Sequence, residues 1–226
     1  STVTLSFPTG GVTLPGKTTL TASTTSAASW EVLIGTGATT LLFSCSTAGV
    51  TNAFQLSGTI SIGTWNHFAA VRNANTFSLY INGTSVGTNA DSSTFTTGAS
   101  TLFIGRANSS GSSYFYGYLS NIRINTTAVY TGSFTPSTTP LTAISGTQFL
   151  SCQSNRFIDN SSNAFSLTAN GTPSVQQFQP FMRPYQYSAS VVGGSGYFDG
   201  SGDYLSTTGT ALSTGNFTIE FWLNPT

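Results

Sequence analysis

Charged residues are the scarcest feature of this 226-residue chain. Lys and Arg total six, Asp and Glu total six, and charged residues make up 5% of the sequence, against about 25% in ordinary soluble domains. The formal net charge is zero, so no basic surface is present to attract a phosphate backbone. We therefore expect no nucleic acid partner.

Long apolar runs and cysteine-rich patterns are also missing. No apolar run approaches the roughly 18 residues that a membrane-spanning helix needs, so we expect no membrane insertion. No signal peptide is visible at Ser1, which is typical of a mature form or of an excised piece. Cys45 and Cys152 are the only cysteines. Without a CxxC pattern they indicate no metal site, and both a disulfide and two buried thiols stay open.

Small polar residues and aromatics are abundant in this chain. Ser and Thr dominate, Gly numbers 24, and the 13% aromatic and 38% hydrophobic fractions are sufficient for a packed core. This composition is typical of extracellular fibres, adhesins and phage appendages. We therefore expect an extracellular location, or one on a cell or virion surface.

Alternation of apolar and polar residues is the dominant pattern along the chain, and no segment has a convincing helical period. Phe77, Leu79 and Ile81 alternate before Asn82-Gly83, the strongest short hairpin signal, because a type I′ turn needs two positive φ angles. Further strands are predicted over residues 65–72, 102–105 and 118–124. The sequence therefore predicts an all-β fold.

The most apolar strand lies at the end of the sequence. Phe217, Ile219, Phe221 and Leu223 alternate with Thr218, Glu220 and Trp222. Such a strand must be paired, because an unpaired one would expose apolar side chains and a free edge. We predict a subunit interface formed by Phe217, Ile219, Phe221, Trp222 and Leu223.

Three segments together resemble the laminin-G-like (concanavalin-A-like lectin/glucanase) jelly-roll family. The first is GTWNHFAAVR (63–72) followed by FSLYING (77–83); the second is FIGR (103–106) followed by YGYLSNIRI (116–124). The third is YFDGSGDYL (197–205) followed by FTIEFWL (217–223). The resemblance covers most of the chain and implies a two-sheet antiparallel jelly-roll sandwich.

The order of these segments is permuted, because the third segment comes first in the family and last in this chain. Residues 1–146 are expected to supply the later strands, and residues 147–187 the opening strands with a Pro-containing connector. Residues 188–226 are expected to supply early core strands, to the same sandwich or to that of the next subunit. A repeat cut from a tandem array, strand exchange between subunits and a closed circular permutant all stay open.

Catalytic chemistry has little support. Glycosidases of this fold class need paired carboxylates, and this sequence has no such cluster, since Glu220 stands alone on its strand. His67, the only histidine, lies inside a predicted core strand, where a structural role is favoured over a triad. We expect no enzyme activity.

Two kinds of binding site are weaker candidates. We expect no cofactor; Asp199 and Asp203, which flank Gly200-Ser201-Gly202, are the candidates for holding calcium, and a β-turn is the favoured explanation of the same residues. Tyr114, Tyr116 and Trp30 are candidates for glycan binding, with core packing or an inter-subunit contact as the favoured alternative.

The sequence as a whole predicts a structural building block of an extracellular filament or tandem-repeat appendage. Its expected partners are other copies of itself, arranged head to tail and joined by β-strand complementation. The alternative is a carbohydrate-binding, lectin-like module of an adhesin or phage appendage protein, with surface glycans as partners.

Overall fold

The computed structural model describes residues 17–23, 28–35, 39–47, 50–93, 101–106, 113–181, 194–208, 212 and 215–226. Fifteen strands form its regular structure: β1 (Lys17–Ser23), β2 (Ala28–Ile34), β3 (Thr40–Thr47), β4 (Val50–Thr59), β5 (Asn66–Asn73), β6 (Thr76–Ile81), β7 (Thr84–Ala90), β8 (Thr101–Ile104), β9 (Tyr116–Asn125), β10 (Thr147–Ser151), β11 (Thr168–Asn170), β12 (Ser174–Gln176), β13 (Ser195–Asp199), β14 (Tyr204–Thr208) and β15 (Phe217–Pro225). Within these ranges no helix meets the length and apolarity that crossing a membrane requires.

The strands form two antiparallel sheets. Sheet A has the order β11-β14-β8-β1-β2-β3-β4, and sheet B has the order β12-β13-β9-β15-β5-β6-β7, with β10 paired to β9. The predicted strands over residues 65–72, 102–105, 118–124 and 217–223 correspond to β5, β8, β9 and β15. The all-β, two-sheet antiparallel sandwich that the sequence predicts is therefore confirmed.

The core lies between the sheets and is built from alternate residues of each strand, as the pleat requires. In β15 the buried core side chains are Phe217, Ile219, Phe221 and Leu223. Phe221 stacks on Phe68 of β5 with ring centroids 4.6 Å apart. The residues between them in β15, which include Glu220 and Trp222, therefore point to the outer face of sheet B.

Two local features determine which residues lie on that outer face. The first is the predicted hairpin, where Asn82 and Gly83 both have positive φ angles, +50° and +79°. The Gly83 carbonyl accepts a hydrogen bond from the Phe134 N–H at 2.9 Å. In β9, Asn121 also has positive φ, and its pairing with β15 is irregular between Glu220 and Trp222. This bulge shifts the phase of β9, so that Tyr118 lies on the outer face before it and Arg123 after it.

One copy of the chain supplies both halves of the sandwich. The last strand in the chain, β15, lies in the middle of sheet B between β5 and β9 of the same copy. Four of the five predicted interface residues therefore face the core of their own chain, and only Trp222 points outward. Strand exchange between copies stays a prediction, because a donated β15 would occupy the same place in a neighbour.

Both cysteines are buried free thiols. Of the two outcomes that the sequence left open, the structure has the pair of thiols and no disulfide. Burial raises the pKa of each thiol, that of Cys152 to about 12, so neither reacts readily as a thiolate.

Candidate functional site

A strip of aromatic rings crosses one half of the outer face of sheet B. We define the aromatic strip by its members, Trp65, Tyr116, Tyr118, Phe178 and Tyr197. Neighbouring ring centroids along it are separated by 4.9 to 6.4 Å. These spacings lie within the range of attractive aromatic contacts, so the rings form one continuous surface.

Strand alternation positions most of these rings. Phe115 and Leu119 of the β9 region are buried in the core, which places Tyr116 and Tyr118 on the opposite face. Tyr197 of β13 is the direct partner of Tyr118 in the neighbouring strand. Phe178, in the loop after β12, is 48% exposed and Tyr116 is 39% exposed. Large exposed aromatics in a contiguous group often mark an interaction surface.

Among the described residues, the Trp65 indole Nε1–H is buried without a hydrogen-bond partner. A buried indole N–H usually has an acceptor. The strip therefore includes an indole donor whose hydrogen bond no described residue accepts.

The predicted glycan-binding residues do not lie together. Tyr116 belongs to the aromatic strip, but Tyr114 lies near Tyr204 of sheet A, with ring centroids 6.5 Å apart. Trp30 is 1% exposed in the core, and its selection as a sugar platform is wrong because no ligand can reach its ring. The sequence signal for its burial is its in-phase position with Val32 and Ile34 of β2.

A cavity of about 590 Å³ adjoins the outward side of β15. Its lining residues are Asn82, Pro136, Ser137, Thr138, Pro180, Phe181 and Trp222. Phe181 meets Trp222 edge to face with ring centroids 5.8 Å apart. Here too, no partner among the described residues accepts the buried indole N–H of Trp222.

The other half of the same face carries a buried charge cluster of His67, Arg123, Tyr130 and Glu220. Arg123 Nη2 lies 2.5 Å from Glu220 Oε1, and Arg123 Nε donates to the same oxygen at 2.7 Å. The Tyr130 hydroxyl donates to Glu220 Oε2 at 2.6 Å, whereas His67 Nε2 lies 3.4 Å from that oxygen. Both carboxylate oxygens are therefore occupied by donors of this chain.

The electrostatics of the cluster agree with a fixed, ionised carboxylate. Burial would raise the pKa of Glu220, but His67, the Arg123 charge and the Tyr130 hydrogen bond together lower it. The pKa of Tyr130 is raised, first by burial and then by the Glu220 charge. Glycoside hydrolysis uses two carboxyl groups, and this cluster contains one.

Residues 126–146, which we call the covering segment, explain the burial of the cluster. Arg123 Nη1 donates to the Thr142 carbonyl at 2.8 Å, and the Asn121 side chain accepts from the Leu141 N–H at 2.8 Å. Tyr130 and Phe134 stack with ring centroids 3.6 Å apart, and Phe134 meets His67 edge to face. The cluster therefore anchors this segment to the sheet.

The calcium candidates act as turn acceptors in the structure. Asp203 accepts hydrogen bonds from the Thr172 N–H at 2.5 Å and the Asp199 N–H at 3.1 Å. Asp199 accepts from the Ser201 N–H at 2.7 Å. Over the described ranges, no group of three or more His, Cys, Asp or Glu side chains is arranged to hold a metal. Calcium binding stays a prediction, and the turn accounts for both carboxylates.

Sequence reasoning missed four members of the aromatic strip: Trp65, Tyr118, Phe178 and Tyr197. A signal was available for Tyr118, because aromatics at 116 and 118 alternate with Gly117 and Leu119. The pairing of Tyr118 with Tyr197 depends on strand register, which the sequence does not display.

A family model matches the chain over more than half of its length. Residues 8–131 match the family model described as the concanavalin A-like lectin/glucanases superfamily. Neither a curated protein nor a solved structure matches the chain.

Proposed function

The chain belongs to the concanavalin A-like lectin/glucanases superfamily, and from that membership we propose that it is a non-catalytic structural building block of an extracellular filament or tandem-repeat appendage. Copies are joined by donation of residues 194–226, which we call the C-terminal segment. Laminin-G-like domains are typically extracellular or surface-exposed. A location outside the cell, or on a cell or virion surface, is part of the proposal.

The pairing pattern of the C-terminal segment carries this proposal. Its strand β13 pairs with β9 and β12, β14 pairs with β8 and β11, and β15 pairs with β5 and β9. Over the described residues, none of these three strands pairs with another of the three. Every strand pairing of the segment therefore connects it to the preceding part of the chain.

Such a segment can be exchanged between copies without losing a pairing. Residues 182–193, which lie outside the described residues, are the covalent link between it and the preceding part. An exchange would preserve the sheet hydrogen bonds and core contacts, so the connector and the protein concentration would decide between closed and exchanged forms. A head-to-tail exchange is heterologous, and it produces a filament where the rotation between neighbouring copies does not close into a ring.

A cysteine pair across β11 and β14 tests the exchange. Thr168 and Ser206 are direct partners in these strands, so Thr168→Cys with Ser206→Cys should form a disulfide under mild oxidation. If the segment is donated, denaturing non-reducing electrophoresis of assembled material will show a ladder of covalent multimers.

Thr76→Cys with Ala90→Cys is the matched control. These residues are partners in β6 and β7. Both strands lie in the part of the chain that precedes the C-terminal segment, which we call the acceptor part, so their disulfide stays within one chain and migrates at monomer mass. A fully oxidised 168–206 pair that also migrates only at monomer mass would contradict the proposal. The parent chain, with its two buried thiols, gives the background.

A second candidate function is glycan binding by the aromatic strip. The exposed rings of Tyr116 and Phe178 favour it, because ring faces can pack on the C–H faces of sugars. Tyr118→Ala should weaken binding to a responsive polysaccharide about tenfold, a loss of about 1.4 kcal/mol. Affinity gel electrophoresis against a polysaccharide panel measures this.

Tyr114→Ala is the control for the glycan test, because Tyr114 lies near Tyr204 and outside the strip. Equal losses in both variants, or no retardation by any polysaccharide, would count against glycan binding by the strip.

A further inference from the structure

Two tyrosines of the aromatic strip on β9, Tyr116 and Tyr118, lie close to Tyr197 on β13. Tyr118 and Tyr197 are direct cross-strand partners, with ring centroids 5.0 Å apart and ring planes at 45°. Tyr116 lies diagonally from Tyr197, with centroids 6.3 Å apart. Residues opposite each other on neighbouring strands hold their Cβ atoms about 4.5–5.5 Å apart, so the sheet itself keeps these phenols adjacent.

We propose that Tyr118 and Tyr197 form an oxidative cross-linking site, where a one-electron oxidant joins the two rings as dityrosine. Each phenol loses one electron and one proton, and the two phenoxyl radicals couple through a carbon–carbon bond between ortho positions. The two ortho hydrogens then move to the phenolic oxygens, which restores both aromatic rings. Hydrogen peroxide, acting through a haem peroxidase, accepts the two electrons and two protons and becomes two water molecules.

The remaining described tyrosines are less suited to this reaction. Tyr130 is stacked on Phe134 and donates its hydroxyl hydrogen to Glu220, and Tyr80 is buried against the same Phe134 ring. The Tyr114–Tyr204 pair is wider, at 6.5 Å, and the Arg106 guanidinium covers the Tyr204 ring at 4.3 Å. That pair therefore serves as an internal comparison.

The position of the cross-link gives it a structural consequence. It connects β9, in the acceptor part of the sandwich, to β13, in the C-terminal segment. In a closed copy the link lies within one chain, whereas in the exchanged arrangement, which rests on the proposed function, it joins neighbouring copies. The cross-link itself forms in either arrangement, because the register of β9 and β13 is the same.

The test uses the full chain with a haem peroxidase and hydrogen peroxide. We expect dityrosine fluorescence, and a cross-linked peptide pair containing Tyr118 and Tyr197 whose mass is lower by two hydrogen atoms. Tyr197→Phe should remove most of the fluorescence, whereas Tyr204→Phe should retain it. Both variants keep an aromatic ring at the site, and circular dichroism checks that they fold like the parent.

A parent chain without the 118–197 peptide, or undiminished fluorescence in Tyr197→Phe, would overturn the inference. The size of the product separates this inference from the proposed function. When assembled material is oxidised, a product of monomer mass containing the 118–197 link supports the cross-linking site while contradicting strand exchange, and a ladder of multimers containing it supports both.

Discussion

The two halves of the outer face of sheet B use neighbouring strands in opposite ways. Under the covering segment, the charge cluster buries ionised groups whose polar atoms are mostly committed to one another. Beside it, the aromatic strip leaves rings partly open and an indole N–H without a partner among the described residues. The difference lies in how polar groups are satisfied: under the covering segment the charged groups find partners within the chain, whereas the aromatic strip leaves ring surface exposed.

Removing Arg123 should give the largest loss of stability. Arg123→Met leaves the Glu220 carboxylate buried without its guanidinium partner, and breaking a buried pair on one side costs about 3–5 kcal/mol. Urea unfolding at neutral pH measures the free energy of unfolding. The pKa of Glu220 in the folded state is lowered. The stability that the Arg123–Glu220 pair contributes is therefore present above the ordinary carboxyl pKa and is lost as the pH falls through the folded-state pKa.

The double variant Arg123→Met with Glu220→Gln provides the control, because it removes both charges together. It should be more stable than the single Arg123→Met variant. A double variant that is less stable than either single variant would show that the charges are not coupled as described.

Glu31 on β2 offers a buried carboxyl group that contrasts with Glu220. Burial raises the pKa of Glu31 from its ordinary value of 4.5 to about 7. The free energy of unfolding therefore decreases as the pH rises from 4.5 to about 7. Glu31→Gln should therefore stabilise the protein by about 1 to 3 kcal/mol above pH 7 and have little effect near pH 4. Thermal unfolding across this pH range checks the sign, and a benefit confined to acid would refute it.

Tyr130→Phe should have an intermediate effect. The variant keeps the ring that stacks on Phe134 but loses the 2.6 Å hydrogen bond to Glu220, and bonds to charged groups contribute about 1.5–3 kcal/mol. Tyr118→Phe, in the open half, is the matched change and should alter stability by less than about 0.5 kcal/mol. Equal effects of the two variants would remove the contrast between the halves.

The smallest effect is expected at Phe178, which is 48% exposed. Phe178→Ala should change the free energy of unfolding by no more than about 0.5 kcal/mol. It should still shift tryptophan emission to the red, because the Trp65 ring lies 5.2 Å from Phe178 and becomes more hydrated. A large loss of stability would show that the strip is part of the core.

Strand positions were predictable from sequence wherever one face alternates clearly. The apolar period of two identified β15 and β6, and Asn82-Gly83 identified the turn between β6 and β7 with both positive φ angles. The three-residue strands β11 and β12 carry too few residues for a period to show. Their existence depends on tertiary pairing with β14 and β13.

The site was less accessible because it depends on long-range register. Glu220 and Arg123 meet across 97 positions of sequence, and the bulge at Asn121 decides which β9 side chains share their face. Trp30 was only a candidate for glycan binding beside the favoured core packing, and it lies in the core, in phase with Val32 and Ile34. Aromatic residue type alone therefore does not distinguish a core ring from a surface ring, whereas strand phase does.

The turn glycine between β6 and β7 has a consequence for the order of folding. A side chain at Gly83 would overlap the Phe134 carbonyl oxygen, and the Gly83 carbonyl binds the Phe134 N–H. The backbone surface on which the residues near Phe134 pack therefore forms only when this hairpin has closed. Closure of isolated hairpins takes microseconds. We expect a sequence in time, with local hairpin closure first and the later, more distant chain settling onto it afterwards.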